Sequence, residues 1–131
     1  MIVIDASACV DLALPGTTTR GEAVAQAVRG QAMTAPGLLD LELVSALARL
    51  ERVGDLSAGE AEDALSEFLG LPVRRRPTTP LTPVAWSLRQ SVRVSDAYYL
   101  ALARRLRAPL VTTDGRLARD APPDVAVHLA R

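Results

Sequence analysis

Short apolar runs alternate with amphipathic segments along this chain. The runs IVID at 2–5 and APLVTT at 108–113 are continuous and rich in β-branched residues, which is typical of strands buried on both faces. Weaker strand patterns occur at 31–36, 72–78 and 124–130, and prolines flank the second of these, which predicts an edge strand. We expect about five strands, with the first in the centre of the sheet because it is so apolar.

Amphipathic segments with capping signals predict the helices between these strands. Apolar residues at helical spacing indicate a long helix over 38–53, and Ser57 with Glu60 has the pattern of a capping box. Thr19 and Ser95 are predicted to cap two further helices. Helices are expected at 6–14 (ending at Pro15 and Gly16), 20–29, 38–53, 57–69, 80–89, 96–107 and 114–119.

Strands that alternate with helices predict an α/β fold of three layers, α/β/α, with a central parallel sheet. At 131 residues the chain is expected to form a single domain over 1–131. No apolar run approaches the ~20 residues that span a bilayer, and the N-terminal segment lacks the basic region of a signal peptide. The expected location is therefore the cytoplasm.

Residue types that are rare or absent exclude several kinds of site. Cys9 is the only cysteine and His128 the only histidine, so an internal disulfide and a cysteine-based zinc site are excluded. All 15 basic residues are arginines, which excludes chemistry that needs a lysine ammonium group. The formal net charge is zero and gives no overall attraction toward nucleic acid. We expect Cys9 and His128 to have structural roles.

Four acidic residues occur where an α/β sheet is expected to form a site. Asp5 and Asp114 end the two most apolar strands, and the carboxyl ends of parallel strands meet at one edge of a sheet. Asp96 opens a predicted helix, and Glu42 lies at the border of an apolar helix face. Each acid also has a structural explanation, as an N-cap, as a partner of a helix dipole or, for Glu42, as a partner of Arg49.

A metal ion would explain why all four positions are acidic rather than merely polar. Clustered carboxylates repel one another, and burying one without a partner costs several kcal/mol. Oxygen ligands suit Mg²⁺ or Mn²⁺, which orient water and stabilise phosphoryl transition states. Such a site needs neither histidine, cysteine nor lysine. Asp40 is a possible fifth acid, although its helical angle places it on the opposite border of the apolar face.

Four segments, MIVIDASA, PGLLDLELVSAL, SDAYYLALA and LVTTDGRLA, occur in this order along nearly the whole chain. With them the chain resembles the PIN-domain ribonucleases, in particular the VapC-type toxins of bacterial toxin–antitoxin pairs. The resemblance implies a PIN-like fold and an endoribonuclease that depends on Mg²⁺ or Mn²⁺. The acidic quartet of the family then corresponds to Asp5, Glu42, Asp96 and Asp114.

The same resemblance implies further residues and partners. The hydroxyl groups that accompany the first and the last acid in the family correspond to Ser7 and Thr113. It also implies a homodimer, and a cognate antitoxin whose C-terminal segment covers the site. Arg116 and Arg119 follow the last acid and are predicted to contact RNA phosphates.

Other features of the chain have two interpretations each. Arg74, Arg75 and Arg76 either contact RNA or keep a solvated edge strand from pairing with another sheet. Tyr98 and Tyr99 either stack on bases or pack in the core or a dimer face.

Two other classes of protein compete with the nuclease. One is a catalytically silent PIN-like interaction module. The other is a phosphoacceptor or phosphatase-type α/β domain, which is disfavoured because such sites use a lysine and, in the phosphatases, a second aspartate where Ser7 stands.

Overall fold

A five-stranded parallel sheet forms the centre of the molecule, as the sequence predicts. The computed structural model describes residues 1–14, 16 and 18–131. The strands have the order β3-β2-β1-β4-β5 and every adjacent pair is parallel, with β1 central and β3 at an edge. Their bounds are β1 Ile2–Ile4, β2 Met33–Pro36, β3 Val73–Arg76, β4 Leu110–Thr112 and β5 Val127–Leu129.

Helices connect the strands in the predicted alternation. Their bounds are α1 Ala6–Ala13, α2 Thr19–Val28, α3 Leu39–Arg52, α4 Ala58–Leu69, α5 Thr82–Ser87, α6 Val94–Leu106 and α7 Gly115–Asp120, with a 3₁₀ turn at Thr79–Leu81 before α5. The capping box of α4 is present, because Ser57 Oγ accepts from Glu60 N at 3.1 Å and Glu60 accepts from Ser57 N at 2.9 Å. No helix within the described ranges is both long and apolar enough to cross a bilayer.

Two predicted caps are wrong by one or two residues. Helix α2 is capped by Thr18, not Thr19, because Thr18 has an extended backbone and its hydroxyl accepts from Gly21 N at 2.9 Å. Helix α6 begins at Val94, so Ser95 lies inside the first turn instead of capping it. Helix α1 ends at Ala13, and the predicted break at Pro15 falls outside the described residues.

The order of the strands creates a cleft beside the central strand. The chain runs outward from β1 through β2 to β3 and then returns to β4 on the other side of β1. Right-handed crossovers place α1 to α4 on one face of the sheet and α5 to α7 on the other. Accordingly α1 packs on α2, α3 and α4, whereas α6 lies across β1, β2 and β4. The carboxyl ends of β1 and β4 therefore flank the position where such folds bind ligands.

Strands β1 and β4 are buried almost completely. Val3, Ile4 and Leu110 are fully enclosed, which holds the ends of both strands rigidly at the cleft. Cys9 is buried in the same core, in the packing role expected for it, and burial raises the pKa of its thiol to about 12. His128 is exposed on β5.

Candidate active site

A cavity of about 610 Å³ opens at the carboxyl ends of β1 and β4, and all four predicted acids line it. Asp5 follows β1 and Asp114 follows β4, while Glu42 and Asp96 come from the first turns of α3 and α6. Four carboxyl groups that are up to 109 residues apart in the chain thus face one space.

Asp5 combines the structural and the functional interpretation of its position. Its Oδ1 caps α1 by accepting from Ala8 N at 2.9 Å, and Ser7 Oγ donates to the same atom at 2.8 Å. Thr112 Oγ1 donates to Oδ2 at 2.6 Å. The side chain is only 4% exposed, and this burial raises the pKa of Asp5 to about 6 although the three hydrogen bonds oppose the shift.

Asp114 caps a helix in the same way on the neighbouring strand end. Its Oδ1 accepts from Arg116 N at 2.9 Å and from Leu117 N at 3.4 Å, at the start of α7. Its Oδ2 lies 3.4 Å from Arg116 Nη2. One carboxylate oxygen of Asp114 therefore caps the helix, and the other forms an ion pair with Arg116.

Asp96 responds to the charges of the other acids. Burial raises the pKa of its carboxyl group, and the negative charges of Asp114 and Glu42 add to this effect. Arg93 and Arg116 act in the opposite direction, and Arg116 Nη2 lies 3.6 Å from Asp96 Oδ2. Asp96 is thus close enough to Asp114 and to Glu42 to be repelled by both.

Glu42 presents a buried carboxylate oxygen beside the buried hydroxyl of Tyr99. Among the described residues neither Glu42 Oε1 nor the Tyr99 hydroxyl makes a hydrogen bond of normal geometry. Burial, and after it the charge and the closeness of the Glu42 carboxylate, raises the pKa of the Tyr99 phenol. No ion pair within the described chain joins Glu42 to Arg49, so the structural role considered for this glutamate is not realised.

The two predicted hydroxyl groups differ in their contacts. Ser7 Oγ lies against Asp5 and accepts from Thr113 N at 3.1 Å. The Thr113 hydroxyl, however, donates to Asp11 Oδ2 at 2.6 Å and not to any of the four predicted acids. Thr112, which sequence reasoning missed, supplies a second hydroxyl that bonds Asp5.

Several other residues of the cavity wall were missed in the sequence. Asp11 follows Ser7 by four positions on α1 and therefore lies on the same helix face, a spacing that signals its place. The arginines that line the cavity are Arg20, Arg49 and Arg93. Neither of the two arginines predicted to contact RNA is among the residues that line the cavity. Arg116 lies between Asp96 and Asp114, whereas Arg119 pairs with Asp120 at 3.2 Å.

The possible fifth acid and the arginines of β3 serve the packing of the sheet edge. Asp40 is bound by Arg75 through two contacts of 2.8 and 3.1 Å, and the guanidinium lies 5.0 Å from the centre of the Phe68 ring. Arg76 donates to Thr34 Oγ1 at 3.3 Å. Asp40 therefore stands apart from the four acids, on the border that its helical angle indicates.

The two tyrosines are engaged within the fold. Tyr99 is 1% exposed and is one of the residues that line the cavity. The Tyr98 hydroxyl lies 3.1 Å from Thr82 Oγ1 and so connects α6 with α5. The packing interpretation of this pair is the one that these contacts support.

The acids fit a hydrated divalent ion better than a tightly ligated one. In residues 1–14, 16 and 18–131, no three Asp, Glu, His or Cys side chains stand close enough to ligate one ion together. Mg²⁺, however, usually keeps several waters and takes only one or two carboxylates directly. An all-oxygen donor set with an unsatisfied buried oxygen at Glu42 suits such an ion.

Comparison with protein families and known proteins agrees with this architecture. The family model described as PIN domain matches residues 2–121. The chain is 44% identical to Ribonuclease VapC12 of Mycobacterium tuberculosis over 119 residues, which cover 91% of each chain. It is 43% identical to Ribonuclease VapC3 of the same organism over 121 residues, covering 92% of this chain and 88% of that protein.

Solved structures share the fold at low sequence identity. VapC20 of Mycobacterium tuberculosis, described as a sarcin-ricin loop cleaving toxin, superposes with a TM-score of 0.65 at 18% identity and covers 96% of this chain and 99% of its own. VapBC2 of Rickettsia felis, solved with a DNA fragment from its promoter, gives a TM-score of 0.71 at 14% identity, with full coverage of both chains. The family match and the relatives at 44% and 43% identity show that this chain belongs to the PIN-domain family and is a VapC-like member of it.

Proposed function

We propose that residues 1–131 form one PIN-like domain that acts as a metal-dependent endoribonuclease, the toxin of a toxin–antitoxin pair. The observation that carries the proposal is the convergence of four carboxylates on one cavity, with Glu42 Oε1 buried and unpartnered. The relatives at 44% and 43% identity are named ribonucleases. The substrate is RNA, and the reaction is hydrolysis of a phosphodiester bond.

In this proposal Asp5, Asp96 and Asp114 hold Mg²⁺ or Mn²⁺, and Glu42 completes the shell or positions the attacking water. A divalent ion, when bound, lowers the pKa of water and neutralises charge on the transferring phosphoryl group. Asp5 would present its carboxylate to the ion in a fixed orientation, because hydrogen bonds hold both of its oxygens. Glu42 is suited to accept a hydrogen bond from water because its Oε1 has none.

The supporting residues orient these acids. The Ser7 hydroxyl donates a hydrogen bond to Asp5 and accepts one from the backbone N–H of Thr113, so it links the ends of β1 and β4. Arg116 pairs with Asp96 and Asp114, and it would be free to contact an RNA phosphate once a cation neutralises these acids. We propose such a contact for Arg119 as well, although it pairs with Asp120 and contacts none of the four acids.

Replacement of Asp96 by Asn tests the assignment. Because the change removes one proposed ligand charge and keeps the shape, RNA cleavage with Mg²⁺ should fall by about two orders of magnitude or more. Asp63→Asn is the matched control, since Asp63 is exposed on α4 and does not line the cavity. Cleavage by a folded Asp96→Asn variant at the rate of the parent would show that the site is assigned wrongly.

A catalytically silent interaction module is the alternative, and one observation favours it. Both oxygens of Asp5 are already used in capping and hydroxyl bonds, which a purely structural acid would also show. Titration with Mn²⁺ followed by calorimetry separates the two functions. The nuclease should bind the ion in the micromolar to millimolar range, and a silent module should not.

The proposal includes two protein partners, a second copy of this chain and a cognate antitoxin, and a cytoplasmic location. Structures of this fold have been solved as VapBC2 and FitAB, both bound to DNA. Leu41, Val44, Val53 and Leu69 are apolar and at least half exposed on or beside α3 and α4, and such a surface suits contact with another protein. Sedimentation at tens of micromolar should show a dimer, and a monomer at that concentration would contradict this part.

A further inference from the structure

Three exposed arginines surround the acidic floor of the cavity. Arg20 comes from α2, Arg49 from α3, and Arg93 immediately precedes α6. Arg20 makes only a 3.9 Å contact with Asp11, and its side chain is 63% exposed. Among the ion pairs of the described residues none involves Arg49 or Arg93.

An arginine also lies on or directly before each of the two helices that supply Glu42 and Asp96. Arg49 follows Glu42 by seven residues on α3, so it lies on the same face about 10 Å further along the helix. Arg93 precedes Asp96 by three residues, at the start of α6. The negative charges are therefore grouped at the floor, and the positive charges lie beyond them.

The arginines stand on opposite walls of the cleft. Right-handed crossovers put α2 and α3 on one face of the sheet and α6 on the other. A chain of phosphates that passes over the acids from Arg49 to Arg93 would thus meet a cation on each side of the reacting bond. A single free nucleotide offers no phosphate to the second wall.

We propose that Arg49 and Arg93, assisted by Arg20, bind the phosphates that flank the cleaved bond, so that the RNA backbone crosses the cavity from α3 to α6. This inference rests on the proposed nuclease function and specifies which residues position its substrate.

Phosphate contacts also account for most of the affinity in this arrangement. Stacking on aromatic side chains is the usual second source of affinity for single strands. Here Tyr99 is buried and the Tyr98 hydroxyl is engaged with Thr82, so neither ring is presented to a base at the cavity. Backbone contacts position a strand without reading its sequence, so these arginines set affinity and register.

The test measures binding of a short fluorescent single-stranded RNA in EDTA, with intact RNA verified afterwards. Each Arg→Gln change at 49 and 93 should weaken binding up to about fivefold, as expected for an exposed ionic contact. The slope of log affinity against log salt should become shallower by about 0.7 for each arginine removed. Arg105→Gln is the control, because Arg105 is exposed at the far end of α6.

Unchanged affinity and salt slope in the Arg49→Gln, Arg93→Gln double variant would overturn the inference, as would a parent protein that does not bind RNA. Arg49→Lys should restore most of the binding, which a loss of fold would not allow.

If arginine-dependent binding occurs without cleavage in Mg²⁺ or Mn²⁺, the proposed nuclease function fails instead. If the parent cleaves RNA and the double variant binds it equally well, only the arginine assignment fails.

Discussion

The Thr112 hydroxyl donates a 2.6 Å hydrogen bond to Oδ2 of Asp5, a residue 107 positions away in the chain. The same hydroxyl oxygen accepts the backbone N–H of Asp114 at 3.0 Å. One buried threonine therefore joins the two strand ends that carry the central acids. The relative placement of Asp5 and Asp114 therefore depends on this group as well as on the pairing of β1 with β4.

Replacement of Thr112 by Val should remove this connection while keeping the shape of the side chain. Asp5 Oδ2 and Asp114 N then lose a buried partner, so the free energy of unfolding should fall by about 2–3 kcal/mol. The pKa of Asp5 should rise further above 6, because the Thr112 bond lowers it. Denaturant unfolding measures the first effect, and Thr112→Ser, which keeps the hydroxyl, is the control. A valine variant as stable as the serine variant would contradict the role assigned here.

Stability in the absence of metal should depend on pH through Asp5. Its pKa is raised from 3.8 to about 6 in the folded protein, so the folded state binds a proton more readily than the unfolded chain. The free energy of unfolding contributed by this group is therefore greatest below about pH 4 and is lost as the pH rises through 6. The total effect is on the order of 3 kcal/mol.

Asp5→Asn provides the comparison that isolates this group. The difference in unfolding free energy between the variant and the parent, measured in EDTA, should grow in favour of the variant between pH 4 and about pH 7. Acids whose pKa is lowered in the folded protein, such as Asp40, make the protein more stable as the pH rises. They are present in both the variant and the parent, so their effect cancels in the difference. A difference that does not change with pH would show that Asp5 is not buried as described.

Glu42→Gln should separate stability from metal binding. The change removes one of the like charges that raise the pKa of Asp96, so the metal-free protein should be more stable by about 1 kcal/mol. Affinity for Mn²⁺ should fall in the same variant, because one donor charge is lost. Calorimetry and denaturant unfolding measure both effects, with Glu51→Gln on the exposed side of α3 as the control. A variant that loses stability and keeps its Mn²⁺ affinity would refute this assignment.

Arg116→Gln should strengthen binding of Mn²⁺ while weakening RNA cleavage. Arg116 Nη2 lies 3.6 Å from Asp96 Oδ2 and 3.4 Å from Asp114 Oδ2, so it competes with a cation for these acids. The side chain is 38% exposed, which limits the gain to about fivefold in affinity. Arg119→Gln, one turn later and outside the cavity, should leave Mn²⁺ affinity unchanged. Weaker Mn²⁺ binding by Arg116→Gln would mean that this arginine supports the site instead of competing for it.

The layout of the fold follows from the sequence because burial leaves a strong pattern. The continuous apolar runs of β1 and β4 identify the central strands, and the position of an acid directly after each run places both acids at one sheet edge. Helix ends leave a weaker pattern because several neighbouring residues can act as the N-cap. Thr18 and Thr19 have identical side chains, and the backbone conformation decides which of them caps α2.

Side-chain partners could not be read from the sequence in the same way. Thr112 and Thr113 are adjacent and identical, yet one bonds Asp5 and the other bonds Asp11, because successive side chains at a strand end point in opposite directions. The arginines of the cavity wall come from segments that only the tertiary fold brings together. Such contacts depend on the crossing of elements that no local spacing encodes.

The pairing of β1 with β4 has a consequence for the moment at which the protein becomes active. The first strand ends at residue 4 and its partner begins at residue 110, so the site does not exist until most of the chain has been made. A ribosome that has synthesised β1, α1 and even α6 still carries an incomplete cluster of acids. Contacts between such distant segments also form late in folding, because the loop between them must first close. The proposed nuclease would therefore lack one of its four acids until Asp114 has been synthesised.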